Sequence, residues 1–201
     1  MCIRDSIHSI FDQLVQRSER ERFLSQNSGV YWLTGLSGSG KSTIAKGVER
    51  KLFNAGFFVQ VLDGDNIRTG ISNNLTFSVE DRQENIRRIA EVAKLYVESG
   101  IVTLCSFISP TIEIRSQAKE IIGHKDFTEV YVETSLELCE ERDVKGLYKK
   151  ARKGLIKGFT GIDSPYEPPV NADMVIPTAS QDVDESVDTL CHYIIEKSKL
   201  V

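Results

Sequence analysis

The sequence predicts a one-domain, three-layer α/β fold around a mostly parallel central sheet, and three observations carry that expectation. Short, continuously apolar strands alternate with helical stretches, the pattern of a parallel sheet covered on both faces. A glycine-rich turn joins the first strand to the helix after it. The 201 residues suit a single domain whose core is large enough to fold without staples.

In chain order, Asp5 to Leu24 reads as a helix with an apolar stripe at Ile7, Ile10, Phe11, Leu14 and Val15. Ser25 to Gly29 breaks it. Val30 to Leu33 is the first strand, and a helix runs from Lys41 to Asn54 with Gly56 just past its end. Phe57 to Leu62 is the second strand and stops at Asp63-Gly64-Asp65. Ser78, with Asp81 three residues later, is a capping-box pattern opening a helix that reaches Ser99 before Gly100. Ile101 to Phe107 is strand three, Thr111 to Ile122 a helix, and Glu129 to Val132 strand four. Ser135 to Glu141 is a short helix ahead of a basic segment that runs to Gly161. Met174 to Ile176 makes strand five and Asp182 to Lys197 a closing helix. The expected organisation is a terminal stretch at 1–6, an N-terminal helical segment at 7–28 and one domain at 29–201.

Twenty-five Lys and Arg against 29 Asp and Glu leave a net charge of −4, which speaks against a surface that coats nucleic acid. Apolar runs such as Ile101 to Cys105 are too short to span a bilayer. Cys2, Cys105, Cys139 and Cys191 lie far apart, with no CxxC pair and no His at metal-ligand spacing. A disulfide framework or zinc site is therefore not expected, and a reducing cytoplasm is. Met1 to Ser6 lacks the apolar stretch of a signal peptide. One codon set for it, ATG TGT ATA AGA GAC AG, reads as a transposon-end adapter used in sequencing libraries. Residues 1–6 are accordingly expected to be an assembly scar, with the native start, and any domain fused before it, upstream.

Gly35-Leu36-Ser37-Gly38-Ser39-Gly40-Lys41-Ser42 fits G-x-x-x-x-G-K-[ST] at every position, between a strand and a helix. Glycines let backbone N–H groups turn inward around phosphate oxygens, and the helix N-terminus adds positive potential. In this pattern Lys41 reaches the β- and γ-phosphates and the Ser42 hydroxyl holds Mg²⁺. The fold class sharpens to a three-layer P-loop NTPase fold that binds a nucleotide triphosphate. The motif names no acceptor.

Asp63 and Asp65 follow strand two, on the edge where open α/β sheets bind ligands. Two carboxylates there could orient Mg²⁺-bound water or accept a proton from an attacking hydroxyl. Asp-Gly-Asp-Asn is equally a good turn sequence in its own right. Along the next helix Arg82, Asn85, Ile86 and Ile89 fall at i, i+3, i+4 and i+7, so Arg82 and Asn85 head the face that the isoleucines bury. Arg87 and Arg88 step off that face into solvent, and Arg68 adds a further anion holder. Phe77 and Phe159 read as loop-edge aromatics that either finish a core or stack on a ligand. Seven basic residues (Arg142, Lys145, Lys149, Lys150, Arg152, Lys153, Lys157) against one acid, Asp143, form either a solvated helix face or a segment built for phosphate.

Gly35 to Thr43, Asp63 to Arg68, Phe77-Ser78 with Asp81-Arg82, and Glu84 to Arg88 are spaced as in adenylylsulfate kinase (APS kinase). Phe107 to Pro110, Arg142-Asp143, Lys145 to Arg152, Phe159 to Asp163 and Tyr166-Glu167 continue the match. The chain resembles this family over roughly residues 29 to 196. The family transfers the γ-phosphate of ATP to the 3′-hydroxyl of adenosine 5′-phosphosulfate (APS), giving PAPS, the activated sulfate donor.

The resemblance implies that Gly35, Ser37, Gly38, Ser39, Gly40, Lys41, Ser42, Thr43 and Arg142 bind ATP. It implies that Asp63, Arg68, Arg82, Asn85, Ile108, Ser109 and Lys145 serve APS, with Phe77 and Phe159 sandwiching its adenine and Asp65 near the 3′-hydroxyl. Mg²⁺ would sit on Ser42 and, through water, on Asp63, and the basic segment 142–161 would be a lid over ATP. In parts of the family the serine matching Ser109 is a phosphoserine intermediate. Phe107-Ile108-Ser109-Pro110 offers no adjacent base to activate it, so direct in-line transfer with Ser109 binding substrate is the expectation here. The family also implies a homodimer and, in some members, a fused sulfurylase domain. The chain departs from the pattern at Thr76, Thr111, Ile112 and Val144, around the substrate loops. Another P-loop small-molecule kinase would not explain the Asp63–Arg68 and Phe159–Ile162 blocks, and a binding module without turnover would not need Lys41, Ser42, Asp63 and Asp65.

Overall fold

The apolar runs of the sequence become five strands of one parallel sheet. The computed structural model describes residues 8–200, so the stretch expected to be a scar, Ile7 and Cys2 lie outside the described residues. The strands are β1 (Gly29–Thr34), β2 (Val59–Asp63), β3 (Val102–Ser106), β4 (Phe127–Glu133) and β5 (Met174–Pro177), in the order β2-β3-β1-β4-β5. Every pairing among them is parallel. The helices are α1 (Arg17–Leu24), α2 (Lys41–Asn54), α3 (Gly64–Thr69), α4 (Val79–Glu98), α5 (Ile112–Ile122), α6 (Leu136–Arg142), α7 (Leu147–Arg152) and α8 (Val183–Ser198).

Strand periodicity sorts the core into two layers. Val30 and Trp32 of β1 face α4 and α5, packing with Ile86, Ile89, Ala93 and Ile114. Tyr31 and Leu33 face α2 and α8, packing with Ile44, Val48, Leu190 and Ile194. Since β1 is central and its neighbours lead in opposite directions, the strand order reverses at its carboxyl end, the edge where such sheets bind ligands. Among the described residues no helix is long and apolar enough to cross a membrane, and Cys105, Cys139 and Cys191 are free and buried.

Four local expectations are revised. The N-terminal stripe is not one helix: a 3₁₀ turn at Phe11–Gln13 is followed by an extended Leu14, and α1 starts only at Arg17, where the Gln16 N–H donates to Glu19 Oε2 at 3.0 Å. Ile10, Phe11, Leu14 and Val15 are all exposed. Asp63-Gly64-Asp65 does not end in a bare turn, because the Asp63 carboxylate accepts from Asp65 N at 3.1 Å and caps α3. Arg88 is only partly solvated: it donates to Ile71 O and Asn74 Oδ1, tying the loop before α4 to that helix. Ser78 does cap α4, but Asp81 spends its carboxylate on Thr76 rather than completing the box.

Gln26 fastens the N-terminal segment to the sheet. Its side chain is 1% exposed; Nε2 donates to Phe58 O and Gly100 O, both at 2.9 Å, and Oε1 accepts from Phe58 N at 2.8 Å. Gln26→Ala leaves Phe58 N and Gly100 O without partners, while Phe58 O keeps Val102 N at 3.3 Å; each orphaned group costs about 1–3 kcal/mol when it stays buried. The variant should lose roughly 2 kcal/mol or more of stability in urea unfolding followed by circular dichroism; a loss under about 0.5 kcal/mol would show that water replaces the amide.

Candidate active site

The cleft is built where β1 ends. Gly35 has φ +152, and a Cβ there would stand 2.6 Å from the Val132 carbonyl, so only glycine lets the chain turn against β4. The loop then climbs to Gly40, the left-handed N-cap of α2. Three groups from the other side of the sheet hold it. Tyr148 of α7 donates to Ser37 O at 2.8 Å, and Thr134 and Thr178, just past β4 and β5, each place a hydroxyl 3.3 Å from Ser39 O.

Lys41 lies inside this loop, 7% exposed, with Nζ donating to Gly35 O at 2.9 Å and Leu36 O at 2.7 Å. Burial pushes its ammonium down to about 8. Ser42 donates to Asp63 Oδ2 at 2.6 Å and lies 3.3 Å from the Ser106 hydroxyl. These are hard oxygen donors, and among the described residues no cluster of three His, Cys, Asp or Glu could cage a metal by itself. That donor set suits Mg²⁺, which keeps waters and takes further oxygens from phosphates. Asp65, exposed at the head of α3, forms an ion pair with Lys145 of the basic segment.

On the β2–β3 side the cationic groups rest on backbone. Arg82 donates through Nε to Phe77 O at 3.0 Å, through Nη1 to Thr160 Oγ1 at 2.8 Å and through Nη2 to Gly158 O, so the head of α4 grips the end of the basic segment. Arg68 donates to Thr76 O at 2.9 Å and stands 4.2 Å over the Phe77 ring. Phe77 is 66% exposed, and Phe159 packs edge-on against Tyr148 with centroids 5.0 Å apart; the two rings do not stack on each other. Asn85 is buried, and its Oδ1 has no partner in the protein, an arrangement that costs free energy until a donor arrives.

The structure thus brings together the phosphate loop, Asp63, Asp65 and Lys145 at one point, and Arg68, Phe77, Arg82 and the Gly158–Thr160 stretch beside it. Arg142 lies on the β5 side of the loop, donating to Thr178 O at 2.8 Å and, at 3.2 Å, to the Thr178 hydroxyl that braces Ser39 O. Ser109 does not reach the cleft with its hydroxyl: the residue is 2% exposed, and Oγ accepts from Trp32 Nε1 at 2.8 Å. Thr34, Ser106, Thr134 and Thr178 were not anticipated. All four lie at or just past strand carboxyl ends, so the rule that singled out Asp63 would have found them had it been applied to every strand.

A family model described as adenylylsulphate kinase matches residues 27–177. The adenylyl-sulfate kinase of Phocaeicola vulgatus is 53% identical over 191 residues, covering 95% of this chain and 94% of that protein. That of Clostridium acetobutylicum is 51% identical over 180 residues, covering 90% of each. Among solved structures, the Mycobacterium tuberculosis APS kinase in complex with AMPPNP and APS aligns with a TM-score of 0.81 and 45% identity, covering 85% of this chain and 98% of that one.

If the buried Lys41 meets phosphate, nucleotide binding should depend on pH with a definite sign. The protonated lysine is the form that attracts phosphate, and in the free protein it is lost as pH rises through about 8. Affinity for a non-hydrolysable ATP analogue, measured by calorimetry, should fall by about tenfold or more between pH 7.5 and 9.5. In Lys41→Ala binding should be weaker and flat across that range; a wild-type profile that is flat as well would remove Lys41 from the phosphate site.

Proposed function

The chain belongs to the adenylylsulfate kinase family, and we propose that its cleft moves the γ-phosphate of ATP directly onto the 3′-hydroxyl of APS, with no phosphoenzyme between. The products are PAPS and ADP. The observation that carries this reading is the convergence on the phosphate loop of two carboxylates with separate partners, Asp63 on Ser42 and Asp65 on Lys145.

The division of labour follows from those partners. The loop N–H groups and Lys41 take the β- and γ-phosphates and neutralise charge as it moves. Ser42 and Asp63 would hold Mg²⁺, which would supply positive charge against the phosphates of ATP. Asp65 orients the acceptor hydroxyl and receives its proton, once the substrate separates it from Lys145. Arg68, Arg82 and Asn85 take the phosphosulfate, an anion matched to guanidinium forks. Phe77 and Phe159 take the adenine from two sides, and residues 142–161 cover the nucleotide as a lid.

Burial of the Ser109 hydroxyl beneath Trp32 supports direct transfer, since a nucleophile needs both access and a base. Asp65→Asn should lower kcat by about a hundredfold or more, the usual worth of a positioned base, while Ser109→Ala keeps turnover within about tenfold. ADP release should require APS throughout. Incubation with γ-labelled ATP alone should leave no label on the protein; stoichiometric label on Ser109 that chases into PAPS would overturn the mechanism.

The chain is also proposed to work as a homodimer. The apolar side chains of its N-terminal segment support this, with Phe11 65% and Phe23 88% exposed. Sedimentation velocity should find a dimer that Phe23→Glu dissociates, and a monomeric wild type at micromolar concentration would refute it.

A further inference from the structure

The turn between β3 and α5 is held in a conformation that its own residues do not favour. Ser109 has φ +42, a left-handed region that serine seldom adopts. All three carbonyls of Ile108-Ser109-Pro110 are tied down by different elements. Ile108 O accepts from Thr34 Oγ1 at 2.7 Å, Ser109 O from Arg115 Nη1 at 2.8 Å, and Pro110 O from Glu167 N at 2.7 Å.

Arg115 is the hub. It is 3% exposed, and its guanidinium spends each edge on a different partner: Nε on Glu129 at 2.6 Å, Nη1 on the Ser109 carbonyl and Nη2 on the Glu167 carbonyl at 2.8 Å. Its central carbon lies 6.0 Å from the Tyr166 ring centroid, and the Tyr166 hydroxyl is 3.1 Å from Thr34 Oγ1. The Glu167 carboxylate closes the circuit by accepting from Ile112 N at 2.7 Å. The strap Tyr166–Glu167 is the continuation of the Gly158–Thr160 stretch that Arg82 grips.

We propose that Arg115 is a positioning residue for the acceptor: it clamps the Ile108–Pro110 turn to the Tyr166–Glu167 strap, and so fixes the wall of the APS pocket without touching APS or ATP. The inference rests on the acceptor reading given above. Topology says why the effect falls on APS. The turn follows β3, whose Ser106 is in register with Asp63 of β2, and Phe107 lies 3.5 Å from the Cβ position of Gly64. The groups that brace the phosphate loop, Thr134 and Thr178, lie on the opposite flank of β1. A bare structural ion pair between Arg115 and Glu129 predicts something different, a loss of stability that falls equally on both substrates.

Lysine at this position keeps the charge and the pairing with Glu129 but cannot reach two carbonyls in fixed directions at once. Arg115→Lys in the full chain should therefore raise KM for APS by about tenfold or more, because small misplacements of a binding wall are costly, with KM for ATP changed by less than about twofold. Thr34→Val frees the Ile108 carbonyl without disturbing a buried charge. It should raise KM for APS in the same direction, and it keeps the test decisive if the lysine variant does not fold. Equal rises in both KM values, or a lowered melting temperature with an unchanged KM for APS, would overturn the clamp. An unsubstituted chain that releases no ADP with APS would overturn the acceptor reading itself, and the clamp with it.

Discussion

At Gly35 the backbone runs so close to β4 that a side-chain carbon would sit 2.6 Å from the Val132 carbonyl, and the geometry of the cleft follows from that approach. The turn leaves β1 against β4, returns over the N-terminus of α2, and encloses Lys41 within carbonyls of its own loop. A lysine held there is desolvated and poised to exchange carbonyl partners for phosphate oxygens. Because β1 is the central strand, the same turn divides the sheet into two flanks: β2 ends at Asp63 ahead of Asp65, and Thr134 and Thr178, just past β4 and β5, brace the loop.

Nearly every charged group of the cleft holds another part of the protein. Lys41 is on loop carbonyls, Lys145 on Asp65, Arg82 on Gly158 and Thr160, Arg68 on the carbonyls before Phe77. Donors that already point inward need little reorganisation when an anion replaces those partners, which is the basis of electrostatic preorganisation. Arg82 also joins the head of α4 to the end of the basic segment.

Two departures from the family pattern acquire a local purpose. Thr76 donates its hydroxyl to Asp81 and takes up the carboxylate that the capping-box reading had reserved for Ser78. Thr111 caps α5, its hydroxyl accepting from Ile114 N at 3.3 Å. Both contacts lie at the N-termini of their helices, α4 and α5, and stabilise those ends.

The sequence by itself determined the parallel α/β architecture, the bounds of α2 from Lys41 to Asn54, the phosphate loop and the carboxylates after β2. Those features are written in local terms: period, glycine placement, and residues adjacent along the chain. It also identified Ser109 by its place in a motif, but not its burial beneath Trp32, 77 positions away. Nor did it disclose that the N-terminal stripe stays exposed, that Arg88 anchors a loop, or that Arg115 links Glu129, Ser109 and Glu167. The Ser109 and Arg115 contacts depend on which strands become neighbours. In a parallel sheet that pairing joins residues separated by whole crossover helices, so only the folded chain decides which donors meet which carbonyls.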